Sequence, residues 1–557
     1  LRDLIAESLG LQRLDVLVGR VLAVLTAQRE TRPRASVATT PLDLDAWIAP
    51  FGAGEQPRGG IISLGNKGFM LARLLHLGFR VPSGFALTTE LARHADGLAH
   101  PQGVPPRVAA RIGDQVARLE RLSGRRLGDP ARPLLLSVRG GAPVSMPGML
   151  ESFLNVGINE GIAEGMAATR RYAWAAWDAY RRFLQFWGMS HGLGRHLFDA
   201  LLDDAKQRHG VPKKALLEPL QMKQVALRYR ALLDDHRVRV VDEPFAQLLA
   251  CIRSVHGSWH SEHARLYRRA MHIAEEWETA VLVQKMVFGN LGPAAGTGVL
   301  LTRHPRHESG GGEPYGDFVV QGQGDDVVAG LVETHPITEG QRRREAAHSA
   351  RSLERDFPAI YDELAAMART LVEDHGMNHQ EIEFTFEGPR PEELFILQTR
   401  DTVLATGSLV PAFEPSGALE ATRIAAGIGV GGGALSGRAA HTAHDVAELR
   451  RHHPGDDVIL LRRDTVPDDI PLMLHVDGLL TSLGGATSHA AVAAKRVGKT
   501  CVVGCRPLRV SEREGRSRIG DHELATGDRI SIDGVDGSVY LGAHPIAAAR
   551  VRGRGQQ

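Results

Sequence analysis

An apolar run, Gly478–Ser482, passes through two consecutive glycines into Thr487-Ser488-His489, then into an Ala-rich stretch, Ala490 to Val497, ended by Gly498. Read as strand, tight turn and helix, this segment leaves the chain few alternatives. The glycines permit the turn, Thr487 or Ser488 can cap the helix, and His489 falls at its N-terminus. There the orphan amides and the helix dipole favour an anion. The same positive end keeps the imidazole neutral and so able to attack. The placement suits a nucleophile that carries a phosphoryl group. A histidine that merely packs near a cap is the bland alternative. Turn, cap and helix arranged around one polar nucleophile weigh against it.

The rest of the chain must serve such a group. Its 557 residues exceed one ordinary core and predict three or four domains. Basic residues number 66 against 65 acidic, which gives no reason to expect nucleic acid or an anionic membrane as partner. No apolar run reaches the ~18 residues of a membrane helix, and the start lacks a signal-peptide pattern. Three cysteines make no disulfide framework, so a cytoplasmic location is expected. Cys501 and Cys505 form a CxxxC pair without a second pair, which argues against zinc there.

Residues 1–30 show helical spacing of leucines and valines, and 31–60, with Pro33, Pro41, Pro50 and Pro57, read as linker. Residues 60–160 have α/β texture, 160–290 are mostly helical, and 294–335 return to strands. Residues 351–376 read as one long helix, and 380–400 as two strands joined by Gly388-Pro389-Arg390-Pro391. After a break at 401–430, strands are expected at 458–462, 478–482, 501–503, 529–533 and 538–541. The arginine-bearing tail reads as a solvated end.

Three further segments carry polar chemistry. Gly65-Asn66-Lys67-Gly68 precedes an apolar helix and can hold a phosphate, although it is no Walker motif. The buried strand Leu134–Val138 ends in Arg139-Gly140-Gly141, where Arg139 can pair with a polyphosphate and the glycines admit close approach. Glu381 and Glu383 alternate with apolar residues, so both carboxylates project from one face of a strand and suggest magnesium beside a phosphate site. Arg400 ends the partner strand.

Around His489 the chain resembles the pyruvate phosphate dikinase family, and more distantly phosphoenolpyruvate synthase. The resemblance extends to Asp464–Ile470 upstream and to Val497–Gly504 and Gly527–Gly534 downstream. The Thr487-Ser488 pair is similar to the phosphate-using dikinase, while Ala486 replaces a residue that is commonly Met. The three polar segments, together with Ala176–Leu184, Val283–Asn290, Gly296–Arg303 and Gln321–Val328, resemble that family's ATP-grasp domain in the same order.

The resemblance implies an α/β and α+β multidomain chain. A 1–58 helical segment and linker precede a 59–400 ATP-grasp domain with a helical insert at about 160–280. A 401–430 linker leads to a swivelling α/β phosphohistidine domain, 431–545, and a 546–557 tail. It implies ATP and magnesium as cofactors and inorganic phosphate as co-substrate. Lys67, Arg139, Arg303, Gln323, Gln398 and Arg400 would contact nucleotide or phosphates, and Glu381 and Glu383 would hold the metal. His489, Thr487, Arg139 and Lys67 would act in catalysis. Asp317 stands where the family often has Glu. The family's phosphoenolpyruvate/pyruvate barrel needs ~250 residues, and no segment here supplies it. A separate barrel subunit and a homodimer are therefore possible partners. A water-dependent dikinase and a non-catalytic regulatory subunit are the competing expectations.

Overall fold

The computed structural model describes residues 43–402 and 410–550, apart from 53, 56, 95–96, 99, 101–102, 145, 147, 272, 304–312, 329–333, 346–348, 465–471, 474, 486–490, 492–493, 495–497 and 512–513. The helix expected over 1–30 therefore lies outside the described residues. Two compact units divide the chain. One holds residues up to Ala295 with 385–388 and 393–399, and the other holds 296–384, 389–392 and 400 onward.

The first unit is built on an antiparallel sheet of β1 (Ile48–Phe51), β2 (Gly84–Leu87), β3 (Leu136–Gly141), β4 (Ser152–Val156) and β5 (Ala280–Lys285), in the order β1-β2-β5-β3-β4. Strand β1 lies inside the segment read as linker. Its prolines suggest a break, but Ile48 and Phe51 are buried and Pro50 sits on an edge strand, where a missing N–H is tolerated. The preceding turn, α1 (Leu44–Trp47), is capped by Asp43. Helix α2 (Ile61–His76) follows, and α3 (Pro106–Ser123) stops at Gly124 in the left-handed region.

The helical insert comprises α4 (Glu160–Ala167), α5 (Ala173–Ser190), α6 (Arg195–Arg208), α7 (Pro219–Asp235), α8 (Pro244–Ser258) and α9 (Glu262–Ala270). Residues 164–187, which recur at helical spacing in the sequence, fall in two helices, α4 and α5, parted by a short 3-10 turn at Arg170–Tyr172. One apolar core, with Phe153, Trp177, Phe183, Tyr229 and Leu248, joins these helices to the sheet.

Inside this core Asp178 is fully buried. It accepts from Arg181 Nε and Nη2 at 3.0 and 2.8 Å, from Arg182 Nε at 2.8 Å and from Asn290 Nδ2 at 3.0 Å, with Lys214 Nζ at 3.8 Å. Burial alone would push the carboxyl up. The charges of Arg182, Lys214 and Arg181 outweigh it and hold the group well below the usual carboxylate range.

A second sheet comprises β6 (Gly296–Leu301), β7 (Tyr315–Val320), β8 (His335–Pro336), β9 (Gln380–Phe386) and β10 (Leu394–Asp401), ordered β10-β9-β6-β7-β8; β6 to β8 and most of β9 belong to the second unit, and residues 394–399 of β10 to the first. The single helix expected over 351–376 is broken. Leu353–Asp356 is one short helix, Pro358–Arg369 a second, and Thr370–Asp374 a π-turn. Pro358 cannot continue a helix from Asp356 and instead starts the next one.

The carboxyl-terminal part is an eight-stranded sheet. Its strands are β12 (Arg423–Ala426), β13 (Ile428–Gly431), β14 (Ala434–Ala440), β15 (Val458–Arg462), β16 (Gly478–Thr481), β17 (Thr500–Val503), β21 (Arg529–Asp533) and β22 (Ser538–Leu541), in the order β12-β22-β21-β14-β15-β16-β17-β13. Strands β14 to β17 are parallel neighbours and the others are antiparallel. A three-stranded sheet of β18 (Leu508–Ser511), β19 (Arg516–Ile519) and β20 (His522–Ala525) adds to its core. All five strands expected here from the sequence are present, within a residue or so. The 401–430 break is less bare than its composition suggests, since it supplies β12 and β13. Strand β11 (Val410–Phe413) pairs antiparallel with β23 (Ile546–Arg550), which lies in the segment read as tail.

Cys251, Cys501 and Cys505 are free and buried. Burial pushes all three thiols up, Cys505 to about 11. At pH 8 each is therefore protonated. The native protein is expected to release no equivalents to a thiol-specific disulfide reagent, and three after denaturation. Reaction of Cys501 or Cys505 in the native state would contradict the packing of β17.

Candidate functional site

Gly65 interrupts α2 with φ 68 and ψ 168, so the Gly65–Gly68 segment is a kink inside a helix rather than a turn before one. The reason is contact with β3. A Cβ on Gly65 would lie 1.5 Å from the Gly141 carbonyl oxygen, and Asn66 N–H donates to Ala142 O at 2.9 Å. The segments carrying Lys67 and Arg139, far apart in sequence, thus meet through backbone. Both side chains are half-buried. The end of β3 is fixed from its other side by β5, where Gly141 pairs with Ala280 and Gly141 N–H donates to Thr279 Oγ1 at 3.2 Å. Gly65→Ala is expected to lower stability by about 3 kcal/mol or more, because it adds both a clash and a disfavoured φ. Thermal melting checks this, and a wild-type melting curve would refute the close approach.

On β9, Glu381 is buried and Glu383 half-buried, on one face as the alternation predicts. Arg400 on β10 forms an ion pair with Glu381. Burial would lower the Arg400 pKa, but Glu381, and then Glu383, more than reverse that and raise it. Arg400 is thus a fixed cation beside both carboxylates. Gln398, two residues before it on β10, is buried. Arg303 follows β6. The adjacent Thr302 exchanges backbone and side-chain bonds with Gln380 at 2.9 Å, which places Arg303 next to the start of β9. Burial, and then Arg303, lower the His379 pKa, so that ring is neutral near pH 7. Gln323 is buried in the turn before the helix Gly324–Val328 and its N–H donates to Asp326 Oδ2 at 3.1 Å.

His489 and Thr487 lie outside the described residues. The elements flanking them are in place. Strand β16 lies among the parallel strands, and its carboxyl end is where ligands of such sheets bind. Beyond it Ser482 and Leu483 donate to Arg462 O and Arg463 O, and Gly484 takes φ 104. Ala491 and Ala494 are helical and buried. Gly498 has φ 68, and Lys499 N–H returns to Ala494 O at 3.0 Å, the expected glycine stop. A Cβ on Gly485 would come within 2.7 Å of Asp317 Oδ2, so the Asp317 carboxylate borders this loop. In the sequence Asp317 stands out only as a residue where the family often has Glu, and nothing there shows this juxtaposition, which joins β7 to a loop well over a hundred residues away.

Residues 98–361 match the family described as "Pyruvate phosphate dikinase, AMP/ATP-binding domain", and residues 454–537 match "PEP-utilising enzyme, mobile domain". The two matches define a class in which a nucleotide-binding domain is joined to the mobile domain of PEP-utilising enzymes. Pyruvate, phosphate dikinase of Clostridium symbiosum is 33% identical over 541 residues, covering 91% of this chain and 59% of the relative. Pyruvate, phosphate dikinase 1, chloroplastic, of Zea mays is 35% identical over 587 residues, covering 98% and 58%. The Rhizobium meliloti pyruvate, phosphate dikinase is 34% identical over 543 residues, covering 91% and 59%. The chain belongs to the pyruvate phosphate dikinase family. It spans 58–59% of the length of these relatives. Among the described residues no helix is long and apolar enough to cross a membrane.

Proposed function

We propose that this chain performs the nucleotide half of a dikinase reaction, in which ATP and inorganic phosphate phosphorylate His489. The observation that supports the reading most is the backbone meeting of the Gly65–Lys67 kink with the Arg139–Ala142 end of β3. It brings two phosphate-type segments, far apart in sequence, together through their backbone. In this reading the nucleotide-binding part is an ATP-grasp domain and the carboxyl-terminal sheet is the swivelling phosphohistidine carrier.

The neutral imidazole of His489 attacks the β-phosphorus of ATP in line, the bond to the α-phosphoryl oxygen breaks, and AMP leaves. The terminal phosphoryl of the pyrophosphoryl-histidine then passes to inorganic phosphate. Pyrophosphate departs and phosphohistidine remains. Lys67 and Arg139 stabilise charge on the transferring phosphates. Thr487 caps the helix that carries the nucleophile. Arg303, Gln323, Gln398 and Arg400 are assigned to nucleotide and phosphate contacts. Glu381 and Glu383 fit a hard divalent cation, being two carboxylates on one strand face, and would hold magnesium, which supplies charge neutralisation on the polyphosphate. The phosphoryl group then passes to pyruvate, giving phosphoenolpyruvate, on a barrel outside the span described here.

Incubation with ATP, magnesium and ³²P-labelled inorganic phosphate tests the reading. Labelled pyrophosphate formed in step with AMP is expected. Release of the terminal phosphate of ATP as orthophosphate, in step with AMP and without added phosphate, would favour water as acceptor, and no AMP would sink the catalytic reading.

A further inference from the structure

The last turn of helix α8 carries His256, and the turn after the helix carries His260, whose N–H donates to Gly257 O at 2.9 Å. The two imidazoles lie 5.5 Å apart between ring centroids. Glu278 meets them from the chain entering β5. His256 Nε2 is 3.6 Å and His260 Nε2 3.5 Å from Glu278 Oε2, and one ligand atom from each residue lies within 4.8 Å of the others.

These separations distinguish two chemistries. A charge-assisted hydrogen bond closes to about 2.7–2.9 Å. Two ligands on one tetrahedral zinc, with bonds near 2.1 Å, stand about 3.4 Å apart. The two histidine–Glu278 separations are those of ligands around a common centre, and the His256–His260 pair, within 4.8 Å, would close slightly on the ion. His256 is 4% exposed, and neither its Nε2 nor Glu278 Oε2 makes a hydrogen bond. Buried polar atoms of this kind are costly unless something joins them. Glu278 also holds φ 57, a conformation that favours glycine, so its carboxylate is presented at a backbone cost. Arg268, the buried cation of α9, lies near enough for Glu278 to act on its charge, but its Nη1 and its guanidinium face are turned to Trp259. It donates to Trp259 O at 2.5 Å and stacks on the Trp259 ring at 4.1 Å.

We propose that His256, His260 and Glu278 form a three-ligand site for zinc or a comparable borderline divalent cation, tying the end of α8 to the start of β5. Two imidazoles and one carboxylate select such an ion over magnesium. The His260 side chain is 43% exposed, which provides entry and leaves a fourth position to water. Thr279, the next residue after Glu278, receives the Gly141 N–H, so the ion braces the junction where β5 supports the end of β3. The site is independent of the phosphotransfer reading.

The test uses the full chain, stripped with chelator and titrated with zinc in excess magnesium. One equivalent bound below about 1 µM is expected, together with the visible absorption of a four-coordinate cobalt derivative. His260→Ala and Glu278→Gln should each weaken zinc binding by about 100-fold or more and remove the cobalt band. His260 is partly exposed, so its variant should fold, and far-ultraviolet dichroism checks this. Absence of stoichiometric zinc, or equal binding by both variants and the parent, would overturn the assignment.

Discussion

Replacing His489 with alanine is expected to abolish labelling of the protein by β-³²P-ATP while leaving ATP affinity within a few-fold of the parent. Removing a covalent nucleophile eliminates the step itself, so the fall should be at least about 1,000-fold. The label on the parent should be acid-labile and base-stable, as a phosphorus–nitrogen bond is. AMP formation should fall with it, since no leaving group can depart without the attack. Nucleotide affinity should persist, because the segments around Gly65 and Gly141 meet through their own backbone. Label of equal stability in the variant would place the phosphoryl group on another residue and defeat the proposed mechanism. Loss of both label and ATP binding would instead indicate that the variant is misfolded or that the loop belongs to the nucleotide pocket.

The second large effect concerns stability. Asp178→Ala removes a carboxylate that pairs with both of the buried Arg181 and Arg182 side chains. Breaking such a cluster from one side leaves uncompensated charge in the core and costs about 3–5 kcal/mol. The melting transition of the nucleotide-binding part should fall by about 10 °C. Removing all three charges, as Asp178→Leu with Arg181→Met and Arg182→Met, should recover most of the loss. The stabilisation also has a defined pH window. The folded carboxyl is held below its unfolded value near 3.9, so its contribution is present above that value and is lost as pH falls through the folded one. A melting curve for Asp178→Ala superimposed on the parent's would show that the cluster carries no net stabilisation.

Much of this organisation was legible in the sequence wherever the signal was local. Strands such as Val458–Arg462 and Gly478–Thr481 are apolar runs bounded by turns, and their neighbours do not change that reading. Alternation put Glu381 and Glu383 on one face of β9. What stayed hidden depends on distant partners. The kink at Gly65 reads as a helix start until Gly141 is seen pressing on it. Asp178 lies in a helix that sequence comparison singled out, yet its roles as partner to Lys214 and Asn290 come from separate segments. The spacing of His256 and His260 is visible in the chain, but Glu278 belongs to another element and its value lies in an unusual φ. Strand β1 was missed because Pro50 and the prolines on either side of the strand outweigh three buried apolar residues in any local reading.

The pairing of β11 with β23 has a consequence for how this part of the chain can be handled, by evolution or at the bench. Register places Phe413 opposite Ile546 and Val410 opposite Arg550, so the segment leaves the chain and returns to it at a single locus. Segments whose ends touch can be excised, transplanted or opened at a new position without redrawing their interior. Residues 410–550 therefore have the form of a cassette. A gene fragment bounded at these strands could be moved between hosts as one insertion, and a permuted version with the old ends joined by a short linker should keep the eight-stranded sheet intact.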